Sequence, residues 1–346
     1  MTDTRPLRNA SLDGLKFLAA IAIVVHHVAA KSIDMSITHR YGWVLDYISY
    51  WGLTFFFMAS GFFHGPTGRR GGAWRKRRVA RLMLPYLAWT GFYVLFAWLW
   101  PHLSPAIDWL LYGQTFTLSA FPDLDVVYVL FFAGACNVLW YLPVVAAFAL
   151  VADLTITSRR SLQTALLLAL ALTMLTHMIP LSPEAASRWS FYYSAPWWFV
   201  AYALGMMAAV RVPKTDSRLP RTGLAVAAIL ATGLVPLFPA LMSGSSALLG
   251  WVITSLLNLA ASWLLLTEAL SGSDPFFASR FSRGGPLVLG VYVVHTAWIV
   301  VWSIIAARLE LSPAVWIVIG TAVSVGGSVA SAAVLRRIRW LRWAVE

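Results

Sequence analysis

Hydrophobic and polar positions fall along this chain in long apolar runs separated by short polar ones. A single bilayer crossing needs roughly 20 mostly apolar residues, and runs of that kind recur at about 12–30, 44–64, 82–100, 135–154, 162–180, 195–210, 222–240, 247–268, 286–306 and 312–334. The predicted fold class is all-α, a polytopic membrane helical bundle of about ten transmembrane helices. No segment is left over for a sizeable soluble domain, so residues 1–346 read as one integral-membrane domain. The longest connection, about 101–134, holds two apolar pieces, "AIDWLLYG" and "VVYVLFFAG". Both are too short to span and read as interfacial or re-entrant helices.

Composition changes the picture in two ways. The chain is 60% hydrophobic and 12% charged, with a mean hydropathy of +0.73, whereas soluble domains carry about 25% charged residues. That excludes a soluble enzyme with a large core. Basic residues collect on the cytoplasmic side of membrane proteins, and an N-terminus placed inside leaves only Lys31, Arg40, Arg188 and Arg308, of 26 basic residues, on the outer side. An even number of spans then puts both termini in the cytoplasm. The net charge of +12 and the pI near 10.2 are therefore a topology signal. Nucleic-acid binding is set aside because the charges are scattered over short membrane loops. The first run ends in "HVAAK", which faintly resembles a cleavage site, but two histidines do not suit a signal peptide, and it reads as a retained helix. The single cysteine, Cys136, cannot close an internal disulfide, and no metal-binding spacing is present.

Polar residues inside apolar runs are costly and point to function. In the first run, Lys16 and His27 stand eleven positions apart. Eleven steps of about 100° bring them within roughly 20° of one helix face and about 16 Å apart along the axis. One therefore sits at the cytoplasmic mouth and the other deep in the membrane, while His26 points about 100° away from His27. Packing of His27 and snorkelling of Lys16 are the alternative for this pair. The second run carries Ser60-Gly61 near its inner end, where small residues also suit close helix packing. Directly after it, Arg69 to Arg81 holds seven basic residues in thirteen positions. Arg78 and Arg81 share a helix face and offer planar forks for phosphate, with anionic lipid head groups as the rival ligand. Asn137, Trp140 and Tyr141 fall near the outer end of the fourth run, a usual place for aromatics. Tyr292 and His295 lie three apart near mid-membrane in the ninth. Buried histidines on two separate spans argue for a polar cavity between helices.

Asp13-Gly14-Leu15-Lys16 with His27, then "FFFMASGFF", "RRVARLMLPY", "LWYL" and "GVYVVHTAW" occur in an order that resembles the acyltransferase-3 family of integral-membrane acyltransferases. The resemblance runs through nearly the whole chain. It implies about ten spans and transfer of an acyl group, usually acetyl from acetyl-CoA, to a hydroxyl of an envelope glycan, lipid-linked sugar or small natural product. The SGNH-type esterase domain that some members carry is not expected here. By that resemblance the basic residue and histidine of the first span correspond to Lys16 and His27. The Arg-x-x-Arg corresponds to Arg78 and Arg81, the Ser-Gly-Phe stretch to Ser60, Gly61 and Phe62, and the late Tyr-x-x-His to Tyr292 and His295. The first-span basic residue is more often arginine, so a bidentate role does not carry over to Lys16. Many members have an acidic residue or proline where this chain has Thr54.

The chemistry expected follows. An alcohol attacks a thioester only once a base takes its proton, and a neutral histidine in a dry site suits that task. The resemblance makes His27 the general base or a transient acyl acceptor, with Arg78, Arg81 and Ser60 on the donor and Lys16 near its phosphates. Tyr292 and His295 form the cavity wall or polarise the thioester carbonyl. The expected partners are acyl-CoA, a glycan or lipid-linked sugar acceptor and membrane lipids, without metal or nucleic acid, in the bacterial inner membrane. The alternative classes are a polytopic transporter that performs no catalysis, which internal symmetry or paired broken helices would favour, and a non-catalytic membrane scaffold.

Overall fold

The structure is a computed structural model that describes residues 9–34, 40–65, 72–103, 137–178, 194–210, 221–238, 247–306, 309 and 311–345. The long connection, with its two apolar pieces, lies outside the described residues. Those described are helical, and eleven α-helices follow one another: α1 (Ala10–Asp34), α2 (Arg40–Ser49), α3 (Trp51–His64), α4 (Gly72–Leu103), α5 (Tyr141–Thr155), α6 (Arg159–Met178), α7 (Ala195–Val210), α8 (Arg221–Leu234), α9 (Ala247–Leu270), α10 (Val288–Ala306) and α11 (Pro313–Arg337). Only Tyr50, itself in a helical conformation, separates α2 from α3, so the two stack as one unit over the second apolar run. Each of the ten predicted runs thus coincides with one helical unit.

Local chemistry places the helix ends. Asn9 begins α1 by accepting the Leu12 amide hydrogen at 2.9 Å and ties it to α9 by donating to the Ala269 carbonyl at 3.0 Å, which satisfies one of the orphan groups of a helix start. α3 stops at Gly65, whose φ of 70° suits glycine and whose amide closes on the Gly61 carbonyl at 3.1 Å. Ser158 and Ser161 bond reciprocally in the turn between α5 and α6. α11 begins with Pro313 in its first turn, where proline costs no hydrogen bond.

Length and composition alone qualify four described stretches to cross a membrane: Ala10–Ile33, Leu248–Leu270, Pro275–Ala306 and Pro313–Arg337. The apolar α5 and α7, of 15 and 16 residues, rise only about 22–24 Å, short of the roughly 30 Å hydrocarbon layer. α7 is buried along most of its length, α5 leaves Leu150, Val151 and Leu154 exposed, and α5 is preceded by a 3-10 turn, Asn137–Trp140, in which Leu139 and Trp140 are buried. Irregular backbone at membrane depth is tolerated where protein covers it.

The interior is aromatic. Phe57 of α3 stacks on Trp198 of α7 at 5.1 Å and meets Tyr141 and Phe148 of α5. The backbones of α3 and α7 pass so closely that a Cβ on Gly61 would fall 1.8 Å from the Tyr202 carbonyl oxygen, and one on Gly205 the same distance from that of Met58. Small residues allow such approaches. Leu167, Leu168, Leu230 and Val318 are exposed on outward faces, as a lipid solvent requires and an aqueous one would penalise.

Candidate active site

α1 carries the site, and the helices around it supply the walls. Lys16 stands nearly two turns from its start, 2.6 Å from Asp13 Oδ1 and over the face of Phe63 at 4.9 Å. A cavity of about 210 Å³ opens beside it, lined by Lys16, Arg81, Ser60, Tyr141, Ile23 and Tyr292 among others. Deeper along α1 a second chamber of about 30 Å³ is lined by His26, His27, Ser49, Tyr50 and Trp140. That is room for about two waters. Ile23 and Tyr292 border both spaces and form the neck between them.

Three histidines meet at the deep end. His27 lies with its ring 5.0 Å from that of His26 and 5.1 Å from that of His295 on α10. Among the described residues no hydrogen bond is made by His27. His295 is fully buried, and its Nδ1 lies 2.6 Å from the Tyr292 carbonyl oxygen. A carbonyl only accepts, so Nδ1 carries the hydrogen. Nε2 of the neutral ring is then a bare acceptor, and it has no hydrogen-bond partner among the described residues. Such a ring is suited to take a proton. Polarising a thioester carbonyl would need a donor at that nitrogen, so this geometry does not suit that half of the role expected for His295.

His26 departs from the sequence expectation. It turns toward α2, where Asp46 Oδ1 stands 2.8 Å from Nδ1 in an ion-pair contact rather than an aligned hydrogen bond, and it faces the same small chamber as His27. Asp46 is a partly buried residue of α2. The angular offset of His26 on α1 is real, but α2 packs across α1 on that side and closes the chamber there.

The remaining predicted residues divide. Arg81 lines the large cavity with Lys16. Arg78 is turned inward: its Nη2 donates to the Ser60 carbonyl at 3.2 Å and its guanidinium lies 5.4 Å from the Trp74 ring. Ser60 reaches the cavity wall, where its hydroxyl pairs with that of Tyr141 at 2.7 Å, while Tyr141 also donates to the Phe56 carbonyl at 3.1 Å. Trp140 and Tyr141 are buried wall residues rather than members of an interfacial belt. The Asn137 side chain lies outside the described residues. Among those described, no group of three His, Cys, Asp or Glu stands together to hold a metal ion.

A basic-mouthed cavity that narrows to unpartnered histidines inside a helical bundle suits a membrane-embedded group-transfer enzyme. Residues 9–333 match the family model described as an acyltransferase domain, and the chain belongs to the integral-membrane acyltransferase-3 family. It is an integral membrane acyltransferase, which decides among the classes that the sequence left open. Comparison with curated proteins and with solved structures gives no match for this chain.

Proposed function

We propose that the protein transfers an acetyl group from acetyl-CoA to a hydroxyl of an envelope glycan or lipid-linked sugar, as one integral-membrane domain of the bacterial inner membrane with both termini in the cytoplasm. The observation that carries this reading is the placing of two spaces along α1, one bordered by Lys16 and Arg81 and the other by His27, with Ile23 and Tyr292 as walls common to both. Arg81 receives the donor phosphates through its planar fork, with Lys16 adding charge beside it. Ser60 and Tyr141 meet the polar atoms of the pantetheine arm, and the thioester comes to rest at the neck against Tyr292.

His27 then takes the proton of the acceptor hydroxyl as its oxygen attacks the thioester carbonyl. The carbon–sulfur bond breaks, the new ester leaves with the acceptor, and the thiolate regains a proton to depart as free CoA. His295 stands behind His27 as a second proton acceptor, and the Asp46–His26 pair completes the chamber wall. A base with no competing hydrogen bond suits this step, because nothing must be broken before it accepts a proton.

Inverted membrane vesicles supplied with acetyl-CoA labelled in the acetyl group test the reading. Label should pass into lipid-linked or polymeric glycan with the wild type, fail to do so in His27→Ala, and return at high donor concentration in Arg81→Ala. Transfer unaffected by His27→Ala would overturn the assignment of the base.

A further inference from the structure

Outside the cavity a second buried histidine is fully occupied. His64, the last residue of α3, is 0% exposed. Its Nε2 lies 3.1 Å from Asp153 Oδ1 on α5, and its Nδ1 lies 2.7 Å from the Tyr202 hydroxyl on α7. The donors and acceptors sort themselves for a neutral ring. A carboxylate only accepts, so the hydrogen sits on Nε2, and the bare Nδ1 accepts the Tyr202 O–H. The Tyr202 oxygen keeps its lone pairs toward the Arg78 guanidinium, whose charge acts on it, and Trp74 joins the two sides in space, its ring 5.3 Å from that of His64 and 5.4 Å from the Arg78 guanidinium. Arg78 in turn donates to the Ser60 carbonyl, and the Ser60 hydroxyl meets that of Tyr141 on the cavity wall.

Four helices, α3, α4, α5 and α7, contribute to this chain: donation runs from Tyr202 through His64 to the Asp153 carboxylate on one side of Arg78, and from Arg78 to the Ser60 carbonyl on the other. A carboxylate in an apolar span is expensive. If it served only to tie three helices, the chain would need to go no further than Tyr202. It continues to an arginine and, through it, to the turn of α3 that forms part of the cavity. We propose that Asp153, His64 and Tyr202 are positioning residues that hold Arg78, and through it the Ser60–Tyr141 hydroxyl pair, in the arrangement that binds the acyl-CoA donor. The inference rests on the reading of the cavity as the donor site. It assigns Arg78 to the wall of that site from behind, with Arg81 as the arginine at the mouth.

The test uses the full chain in detergent or lipid nanodiscs, with acetyl-CoA as the probe. Direct binding, KM, kcat and melting temperature are measured for wild type, Asp153→Asn, Tyr202→Phe, His64→Leu and His64→Gln. Tyr202→Phe and His64→Leu should weaken acetyl-CoA binding and raise KM about tenfold, the effect of losing one charge-assisted hydrogen bond, with kcat within about twofold. Asp153→Asn should weaken it less, because its amide oxygen still accepts. Glutamine offers one acceptor and one donor, so His64→Gln should recover much of the affinity that His64→Leu loses. Tyr202→Phe, the mildest change, keeps the test alive where His64→Leu does not fold. Folded variants that bind acetyl-CoA as the wild type does, or that lose kcat at unchanged affinity, would overturn the positioning role. So would equal weakness of His64→Gln and His64→Leu. A wild type that binds no acetyl-CoA would instead overturn the donor-site reading, and the proposal with it.

Discussion

The interior holds two histidine clusters, and they differ in what their nitrogens do. At the deep chamber, His27 and Nε2 of His295 have no hydrogen-bond partner among the described residues, and open space adjoins His27. At the other end of α3, both nitrogens of His64 are engaged and the ring is sealed. His295 and His64 are equally buried, so burial alone does not separate a histidine with a bare nitrogen from one that fixes geometry. Unspent hydrogen-bonding capacity beside a cavity does. An imidazole with both nitrogens committed must break a bond before it can accept a proton, whereas an uncommitted one pays no such cost.

The largest effect expected from this contrast is at His27. His27→Ala should lower kcat by about 10²–10⁴-fold, the usual contribution of a positioned general base, with acetyl-CoA binding unchanged, as stopped-assay turnover and direct binding would show. A parallel loss of binding would blur the distinction. Next comes the sealed side: Gly61→Ala would set a Cβ 1.8 Å from the Tyr202 carbonyl and so force α3 and α7 apart. A loss of about 1–3 kcal/mol of stability, read as a lower unfolding midpoint, should accompany weaker donor binding. At the mouth, Arg81→Ala should raise the donor KM about tenfold, and the difference from wild type should shrink as ionic strength screens the phosphates. An effect independent of salt would remove Arg81 from the phosphates.

The smallest effect lies at neither cluster and gives a reference for pH. Asp274, exposed between α9 and the 275–287 segment, is desolvated slightly, which raises its pKa. Hydrogen bonds from the Ser279 hydroxyl and amide, then from Ser11, with Arg280 nearby, outweigh this and hold the carboxyl below its ordinary value. A depressed folded-state pKa contributes stability above the ordinary value and loses it as pH falls through the depressed one. Asp274→Asn should therefore melt slightly earlier at neutral pH, and its melting temperature should converge with that of the wild type in acid. Activity should follow the wild-type pH profile.

The helices were legible because the bilayer prescribes their length: α7 occupies the predicted run 195–210 in full. α4 starts at Gly72, ten residues before the predicted span, since Arg and Lys are good helix formers and their long stems can carry charge out of the apolar layer. The site was legible in part. Lys16, Arg81, Ser60 and Tyr292 do share a cavity, and His27 and His295 are adjacent. Which helix lies across from which is decided by packing, and that defeated the rest. Angular position on α1 set His26 apart from His27, but only the crossing of α2 reveals Asp46 as its neighbour. Asp153 carried a signal, a carboxylate within an apolar run, yet its partners His64 and Tyr202 come from helices 89 and 49 residues away.

The neck at Ile23 and Tyr292 has an electrical consequence. A protein with a wide cavity on one side and a polar chamber on the other risks becoming a leak, because a charge moved through the membrane potential gains about 2.3 kcal/mol per 100 mV. An isoleucine side chain offers no ligand to a dehydrated ion, and a chamber with room for about two waters leaves little room to hydrate one. On the reading of the wide cavity as the donor site, a constriction that would stop the bulk of a nucleotide would also resist the passage of ions.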